Sequence, residues 1–108
     1  MGTLSTHVLD TSLGRPAAGV AADLEAPDGT VVGSGVTDAD GRIAEIGDDV
    51  LAAGVYRLRF AIADYHAAHG VVGFYPEVVV TFTVADPAEH YHVPVLLSPY
   101  GYSTYRGS

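Results

Sequence analysis

HYHVPVLLSPYGYSTYRGS, residues 90–108, decides the fold, because it contains two strand patterns joined by a tight turn. HYHVPVLL is rich in residues with high β-propensity, and the SPYG that follows contains the typical turn residues Ser, Pro and Gly. YSTYR then predicts a second strand. The polar group Tyr105–Ser108 comes last, at a place where chains usually fray. The pattern predicts a β protein and leaves open what this polar end does.

The rest of the chain repeats the alternation of short strands and turns. In LSTHVLD, residues 4–10, alternation predicts one face with Ser5, His7 and Leu9 and the other with Thr6, Val8 and Asp10. In GVYRLRFAIADY, residues 54–65, the same argument predicts a core face of Tyr56, Leu58, Phe60 and Ile62.

Four further segments complete the prediction of secondary structure. GVAADLEAP and TVVGSGVTD read as strands around the turn signal Pro27-Asp28-Gly29, and EVVVTFTV reads as a strand after Pro76. Residues 64–69, DYHAAH, lack β-branched side chains and predict one or two helical turns. Seven or eight short strands with one short helix predict an all-β fold, an antiparallel β-sandwich.

Composition limits the classes of protein and partner. A chain of 108 residues with 48% apolar residues is expected to form one domain over residues 1–108 with a packed core. Thirteen acidic residues against five arginines and no lysine give a formal net charge of −8, which disfavours nucleic acid and anionic membranes as partners.

Cysteine usage and hydropathy indicate the compartment. No cysteine is present, and no apolar run is long enough for a transmembrane span or a secretory signal, so we expect a cytoplasmic protein. Met1–Thr6 matches the pattern for N-myristoylation, but no basic patch accompanies it, so we set this match aside.

Histidines and arginines are the candidates for chemistry, since the chain has no G-x-S-x-G elbow and no glycine-rich phosphate loop. His90 and His92 share one face of a predicted strand, and imidazoles exchange protons near neutral pH. From spacing alone, these two histidines are equally compatible with a role as metal ligands, as acid–base groups or as solvated residues at a sheet edge. His66 and His69, in the predicted helix, are expected to be surface residues. Arg42 follows the turn signal Asp40-Gly41 and by itself reads as a surface cation.

Four segments, THVLD with His7, TDADGR with Arg42, HYHVPVLLSP with His92 and the final YRGS, together resemble the transthyretin-related family. The resemblance runs from about Leu4 to Ser108 and is strongest to the enzyme branch, the 5-hydroxyisourate hydrolases. The carrier branch has a lysine, a glutamate and a threonine at the His7, Arg42 and His92 positions and lacks YRGS. These four differences favour the enzyme branch.

The resemblance implies a transthyretin-like eight-stranded antiparallel sandwich of two four-stranded sheets, assembled as a homotetramer. This tetramer is a dimer of dimers, with active sites in the channel where the dimers meet. The implied reaction is hydrolysis of 5-hydroxyisourate to 2-oxo-4-hydroxy-4-carboxy-5-ureidoimidazoline, in urate catabolism, without cofactor or metal.

The resemblance also implies roles for individual residues. His7, Arg42 and His92 match the family's catalytic residues. Tyr105, Arg106, Gly107 and Ser108 match its substrate-binding tail, which is held in the site, with the Ser108 carboxylate as a structural element. The chemistry suits a water deprotonated by His92 with His7 as its partner, and an arginine that stabilises charge on the carbonyl oxygen.

Two alternatives remain open from the residues alone. His7, His90 and His92 could bind a catalytic zinc ion with an open water position. The protein could instead bind a ligand without turnover, as a carrier or as a sandwich module like the carboxypeptidase regulatory-type domains, which residues 16–42 also resemble.

Overall fold

Strands account for all but one of the regular elements in residues 3–47 and 51–107, the part of the chain that the computed structural model describes. Their order is β1 Thr3–Asp10, β2 Arg15–Pro16, β3 Ala21–Glu25, β4 Val31–Val36, β5 Arg42–Ile43, β6 Gly54–Phe60, α1 Ile62–Ala68, β7 Val78–Val84, β8 His90–Ser98 and β9 Gly101–Thr104. The predicted helix is confirmed, although it begins two residues earlier and ends one residue earlier than the sequence pattern indicated.

Two sheets form the predicted sandwich. One has the order β2-β1-β8-β9, with β5 also paired to β1, and the other has the order β4-β3-β6-β7. The first sheet therefore has a fifth strand, because the two-residue strands β2 and β5 pair with different parts of β1.

One strand pair departs from the expected antiparallel arrangement. β1 and β8 run parallel, with Thr3 opposite His90 at one end and Asp10 opposite Leu97 at the other. No tight turn links these strands, since most of the chain lies between them, so their direction is not restricted as it is in a hairpin. This parallel pair is the centre of the first sheet.

The core lies between the sheets and follows the predicted alternation. Leu4, Thr6, Val8 and Asp10 of β1 are buried, as is the expected core face of β6 with Ile62 of α1. Each fully buried aliphatic or aromatic side chain stabilises the fold by about 1.5–3 kcal/mol. The inward side of β1 therefore anchors the sheet, and its outward side is free for function.

His66 differs from its predicted place at the surface. It is buried in α1, and its Nε2 is without a hydrogen-bond partner among the described residues. The loop after α1 covers it, because Gly73 lies so close to the imidazole that an added Cβ would overlap Cδ2. His69 is exposed, as predicted.

The buried Asp10 carboxylate joins the end of β1 to α1. Its Oδ1 accepts hydrogen bonds from the Ser12 and Leu13 backbone N–H groups and the Ser12 hydroxyl, and its Oδ2 accepts one from the Tyr65 hydroxyl at 2.7 Å. Burial opposes ionisation of Asp10, but these hydrogen bonds outweigh it and lower its pKa below the usual value. Burial and the bond to Asp10 raise the pKa of Tyr65 to about 12.

In the described part of the chain, no helix has the length and apolar character needed to cross a bilayer.

Candidate active site

The outward face of the β1–β8 pair carries the polar side chains that the sequence singled out. Alternation turns Ser5 and His7 of β1 away from the core, and His92 and Pro94 of β8 share that face. In the parallel register Ser5 lies opposite His92, and His7 lies opposite Pro94. Because neighbouring strands are about 4.8 Å apart, His7 and His92 are diagonal neighbours on one surface.

A tight turn brings Arg42 to the same surface. The Asp38 carboxylate accepts hydrogen bonds from the backbone N–H groups of Asp40 and Arg42, at 2.9 and 3.0 Å. Gly41 has φ +74°, and an added Cβ would collide with the Val8 carbonyl oxygen. β5 then begins at Arg42, directly opposite His7.

Backbone contact fixes the protonation of His7 when it is neutral. Its Nε2 lies 2.9 Å from the Asp40 carbonyl oxygen, which is only an acceptor, so Nε2–H donates this hydrogen bond. The lone pair of neutral His7 is therefore on Nδ1. The turn that supplies Arg42 thus also orients the imidazole beside it.

His92 is held from two sides. Its Nδ1 lies 2.7 Å from the Ser5 hydroxyl oxygen, and its carbonyl oxygen accepts a hydrogen bond from the Gly107 N–H at 2.8 Å. Gly107 lies against the imidazole so closely that a Cβ would overlap the ring. The returning C-terminal segment therefore packs on His92, leaving its Nε2 as the nitrogen not engaged by Ser5.

The surroundings of His92 favour its neutral form. Partial burial is the largest cause lowering its pKa from the ordinary value of 6.5, followed by the positive charge of Arg42 and then by His7 and His90. A neutral imidazole at neutral pH has the lone pair that a general base needs.

Tyr105 and Arg106 lie to one side of this surface, in a cleft of about 330 Å³ between β7 and the end of the chain. The Arg106 guanidinium stands 4.6 Å from the centre of the Tyr91 ring, and its Nη2 lies 3.3 Å from Glu89 Oε2. His92 also lines the cleft, so cleft and surface meet at this residue.

Two predictions from the sequence fall wholly or partly outside the described residues. Ser108 is not described, so its carboxylate stays a prediction. Of the N-myristoylation pattern, Met1 and Gly2 are also outside the described part.

Several contributors to the site were not identified from the sequence. Ser5 was placed on the His7 face but given no role, and Asp38 was noted only as part of the segment TDADGR. A signal was available for Ser5, because residues two apart on a strand face the same side. Its contact with His92, 87 residues away, had no local signal.

The zinc alternative finds no support in these side chains. Within residues 3–47 and 51–107, no three His, Asp or Glu side chains are grouped so that they could hold a metal ion. His90 Nε2 and His92 Nδ1 both face the Ser5 hydroxyl, and His7 Nε2 faces a backbone carbonyl.

Fold and site together define a class: a transthyretin-like β-sandwich with histidine and arginine side chains on the outer face of one sheet. The chain belongs to the HIUase/Transthyretin family, whose model matches residues 4–107.

Individual relatives agree with this assignment. A 5-hydroxyisourate hydrolase of Caulobacter vibrioides is 46% identical over 115 residues, covering 100% of both chains. The solved structure of Klebsiella pneumoniae 5-hydroxyisourate hydrolase has a TM-score of 0.90 at 40% identity, over 98% of this chain and 99% of that one. Sea bream transthyretin in complex with thyroxine has a TM-score of 0.87 at 36% identity, over 96% and 93% of the two chains. The fold is thus similar to both branches, and the site must distinguish them.

Proposed function

We propose that this protein hydrolyses 5-hydroxyisourate, with His92, His7 and Arg42 as its catalytic residues. The observation that carries the proposal is the convergence of these three residues on one sheet face from β1, β5 and β8. The names of the similar hydrolases from Caulobacter and Klebsiella support the same substrate.

In the proposed reaction His92 activates water. Its Nε2 takes a proton as the water oxygen attacks a ring carbonyl, and a positioned imidazole contributes about 100- to 10,000-fold as general base. His7, the diagonal neighbour of His92 on the same sheet face, orients the water or passes the proton. The C–N bond of the ring then breaks, and the product is 2-oxo-4-hydroxy-4-carboxy-5-ureidoimidazoline.

Arg42 stabilises the negative charge that develops on the carbonyl oxygen. Its guanidinium is permanently charged and planar, which suits the flat, polar edge of a urate-like ring. A fixed cation beside the reacting carbonyl stabilises the transition state more than a cation in water does, because the fixed charge needs no reorganisation during the reaction.

The proposed active form is a tetramer. The face with His7, Arg42 and His92 is open in the single chain, and a second dimer across it would close a channel and exclude water. Tyr105, Arg106, Gly107 and Ser108 then bind the polar edges of the substrate, as the resemblance implies.

The first experiment is the decay of ultraviolet absorbance of fresh 5-hydroxyisourate, made from urate by urate oxidase. We expect acceleration by the protein with its native C-terminus, and a fall in kcat/KM of about 100-fold or more for Arg42→Ala. Arg57→Ala is the matched control, since Arg57 is exposed on the other sheet. No acceleration by folded protein would refute the proposal.

His7→Asn and His92→Asn divide the roles of the two histidines. We expect His92→Asn to lose more turnover, because it removes the base. Near-normal turnover of His92→Asn, with loss in His7→Asn, would reverse the assignment.

A carrier function is the second candidate, because of the similarity to the thyroxine complex of sea bream transthyretin. Such a carrier would bind an aromatic ligand in the channel and leave the decay of 5-hydroxyisourate unchanged. Ligand binding measured by calorimetry beside the absorbance assay separates the two functions.

A further inference from the structure

A continuous line of hydrogen bonds leads from His92 to an exposed histidine. The Ser5 hydroxyl oxygen lies 2.7 Å from His92 Nδ1 and 2.9 Å from His90 Nε2. His90 Nδ1 in turn is hydrogen-bonded to the Thr3 hydroxyl. His92 is half-buried and His90 is exposed, so the line connects the candidate site to solvent.

The hydroxyl in the middle restricts how protons are arranged. Ser5 has one O–H to donate, so it can donate to only one of the two imidazoles and accepts from the other. In one arrangement His92 Nδ1–H donates to Ser5, and Ser5 donates to His90 Nε2. His92 Nε2 then carries the lone pair. In the reverse arrangement His92 Nε2 carries the proton.

We propose that Ser5 and His90 form a proton relay that lets His92 act alternately as base and acid. This inference rests on the proposed hydrolase function. Ser5 and His90 act through His92 and are positioning residues, with no contact to substrate.

The relay balances in both directions. When His92 Nε2 takes a proton from water, its Nδ1 proton moves to Ser5, the Ser5 proton moves to His90 Nε2, the His90 Nδ1 proton moves to the Thr3 hydroxyl, and Thr3 releases its own hydroxyl proton to solvent. When Nε2 later protonates the leaving ring nitrogen, each proton moves back one position and Thr3 regains one from solvent. After one hydrolysis the protons of the relay are therefore back in their starting arrangement.

Charge explains why a relay is useful at this place. A proton retained on His92 would create an imidazolium beside Arg42 of β5 and His7 of β1, in a partly buried setting. The residue before His90 is Glu89, whose carboxylate is paired with Arg106. Passing the proton to His90 places the charge in solvent and away from Arg42.

Variants at the two relay positions test the proposal by kinetics. His90→Gln can still accept the Ser5 hydrogen bond through Oε1 but cannot carry a proton. We expect kcat to fall about tenfold or more in His90→Gln and Ser5→Ala at low buffer concentration, with KM within about twofold, since part of the general-base contribution is lost. Ser5→Thr retains the hydroxyl, so its kcat should fall less than that of Ser5→Ala.

Two further readouts separate a relay from a merely structural role. Added imidazole buffer should restore much of kcat in His90→Gln by accepting the proton from Ser5. His69→Gln, an exposed histidine outside the site, should match wild type throughout. Wild-type kcat of His90→Gln at low buffer, or a loss in Ser5→Thr equal to that in Ser5→Ala, would overturn the relay.

A measurement without substrate keeps the relay and the hydrolase function distinguishable. Nitrogen-15 NMR, recorded at a pH where the histidine side chains are neutral, should show both His92 and His90 protonated at Nδ1. Ser5→Ala should lose this preference at His92. If His92 is protonated at Nε2 in the wild type, the relay is wrong even if hydrolysis is fast. If the tautomers are as expected and 5-hydroxyisourate is stable, the proposed function fails instead.

Discussion

At the scale of single residues, the chemistry of His92 depends on its neighbours more than on its own sequence position. Ser5 binds one ring nitrogen, Gly107 covers the ring, and Arg42 contributes positive charge. Ser5 and Arg42 both lie far from His92 in the chain. A histidine in a strand therefore becomes a candidate base only through folding.

A first prediction concerns the titration of His92. NMR should give a pKa below 6.5, since burial and Arg42 both disfavour the charged form. Arg42→Gln should raise this pKa towards 6.5, because it removes the second of these causes. Arg57→Gln, on the other sheet, serves as the control and should leave it unchanged. A wild-type pKa above 6.5 would contradict this account of the site.

A second prediction concerns Gly107. In Gly107→Ala the added methyl group overlaps the His92 ring and comes close to Pro94, so either the imidazole or the C-terminal segment must move. We expect kcat/KM to fall about tenfold or more, because small displacements of catalytic groups have large effects on rate. Gly101→Ala is the matched control, since its Cβ meets only Ser98 Oγ at 3.5 Å. Equal activity of the two variants would show that the close packing on His92 is unimportant.

At the scale of elements, local signals predicted the strands, and only long-range contacts assembled the site. The alternation in β1 and β6 predicted their buried faces, because side chains on a strand have a period of two. The Asp40-Gly41 signal predicted the turn before Arg42. The parallel pairing of β1 with β8 had no local signal, and the meeting of His7, Arg42 and His92 was expected only from the family resemblance.

The link between β1 and α1 provides a third prediction. Tyr65→Phe removes the hydroxyl that donates to Asp10 Oδ2 and leaves a buried carboxylate oxygen without this partner. We expect a loss of about 1–3 kcal/mol in the free energy of unfolding, measured by urea at fixed protein concentration. Tyr100→Phe, at a residue 76% exposed, is the control and should change little.

The same contact determines a dependence on pH. The pKa of Asp10 is lowered in the folded state, so its contribution is present above the ordinary value of 3.8 and is lost as pH falls through the lower folded value. Because Tyr65→Phe removes one of the hydrogen bonds that lower this pKa, the difference in stability between wild type and variant should shrink as pH falls through this range, and the less stable variant should unfold at a higher pH. Coincident acid-unfolding curves would show that the bond contributes nothing.

At the scale of the whole molecule, charge and assembly oppose each other. Each chain carries a formal net charge of −8, and the proposed tetramer brings four chains together. Like charges repel over a distance that salt reduces to about 8–10 Å at physiological ionic strength. In the proposed tetramer, the dimer that covers the open face with His7 and Arg42 must therefore bind in spite of this repulsion.

A fourth prediction follows for dilution and salt. Light scattering and activity, measured on the same samples, should fall together on dilution, because the proposed site is completed by other subunits. Raising ionic strength should shift both curves to lower protein concentration, since screening weakens the repulsion. Full activity in samples that scatter as monomers would contradict a site shared between subunits.

The parallel pairing of β1 and β8 also has a consequence for the order of events during synthesis. Ser5 and His92 are 87 residues apart, which corresponds to roughly 4–17 s at about 5–20 residues per second on the ribosome. During that time β1 has no partner along the edge that later pairs with β8. Unpaired strand edges favour misassociation between nascent chains. Pairing of β1 with β8 is a non-local step of the kind that makes folding slow. The proposed site is therefore completed late, and a chain released before β8 lacks His92 altogether.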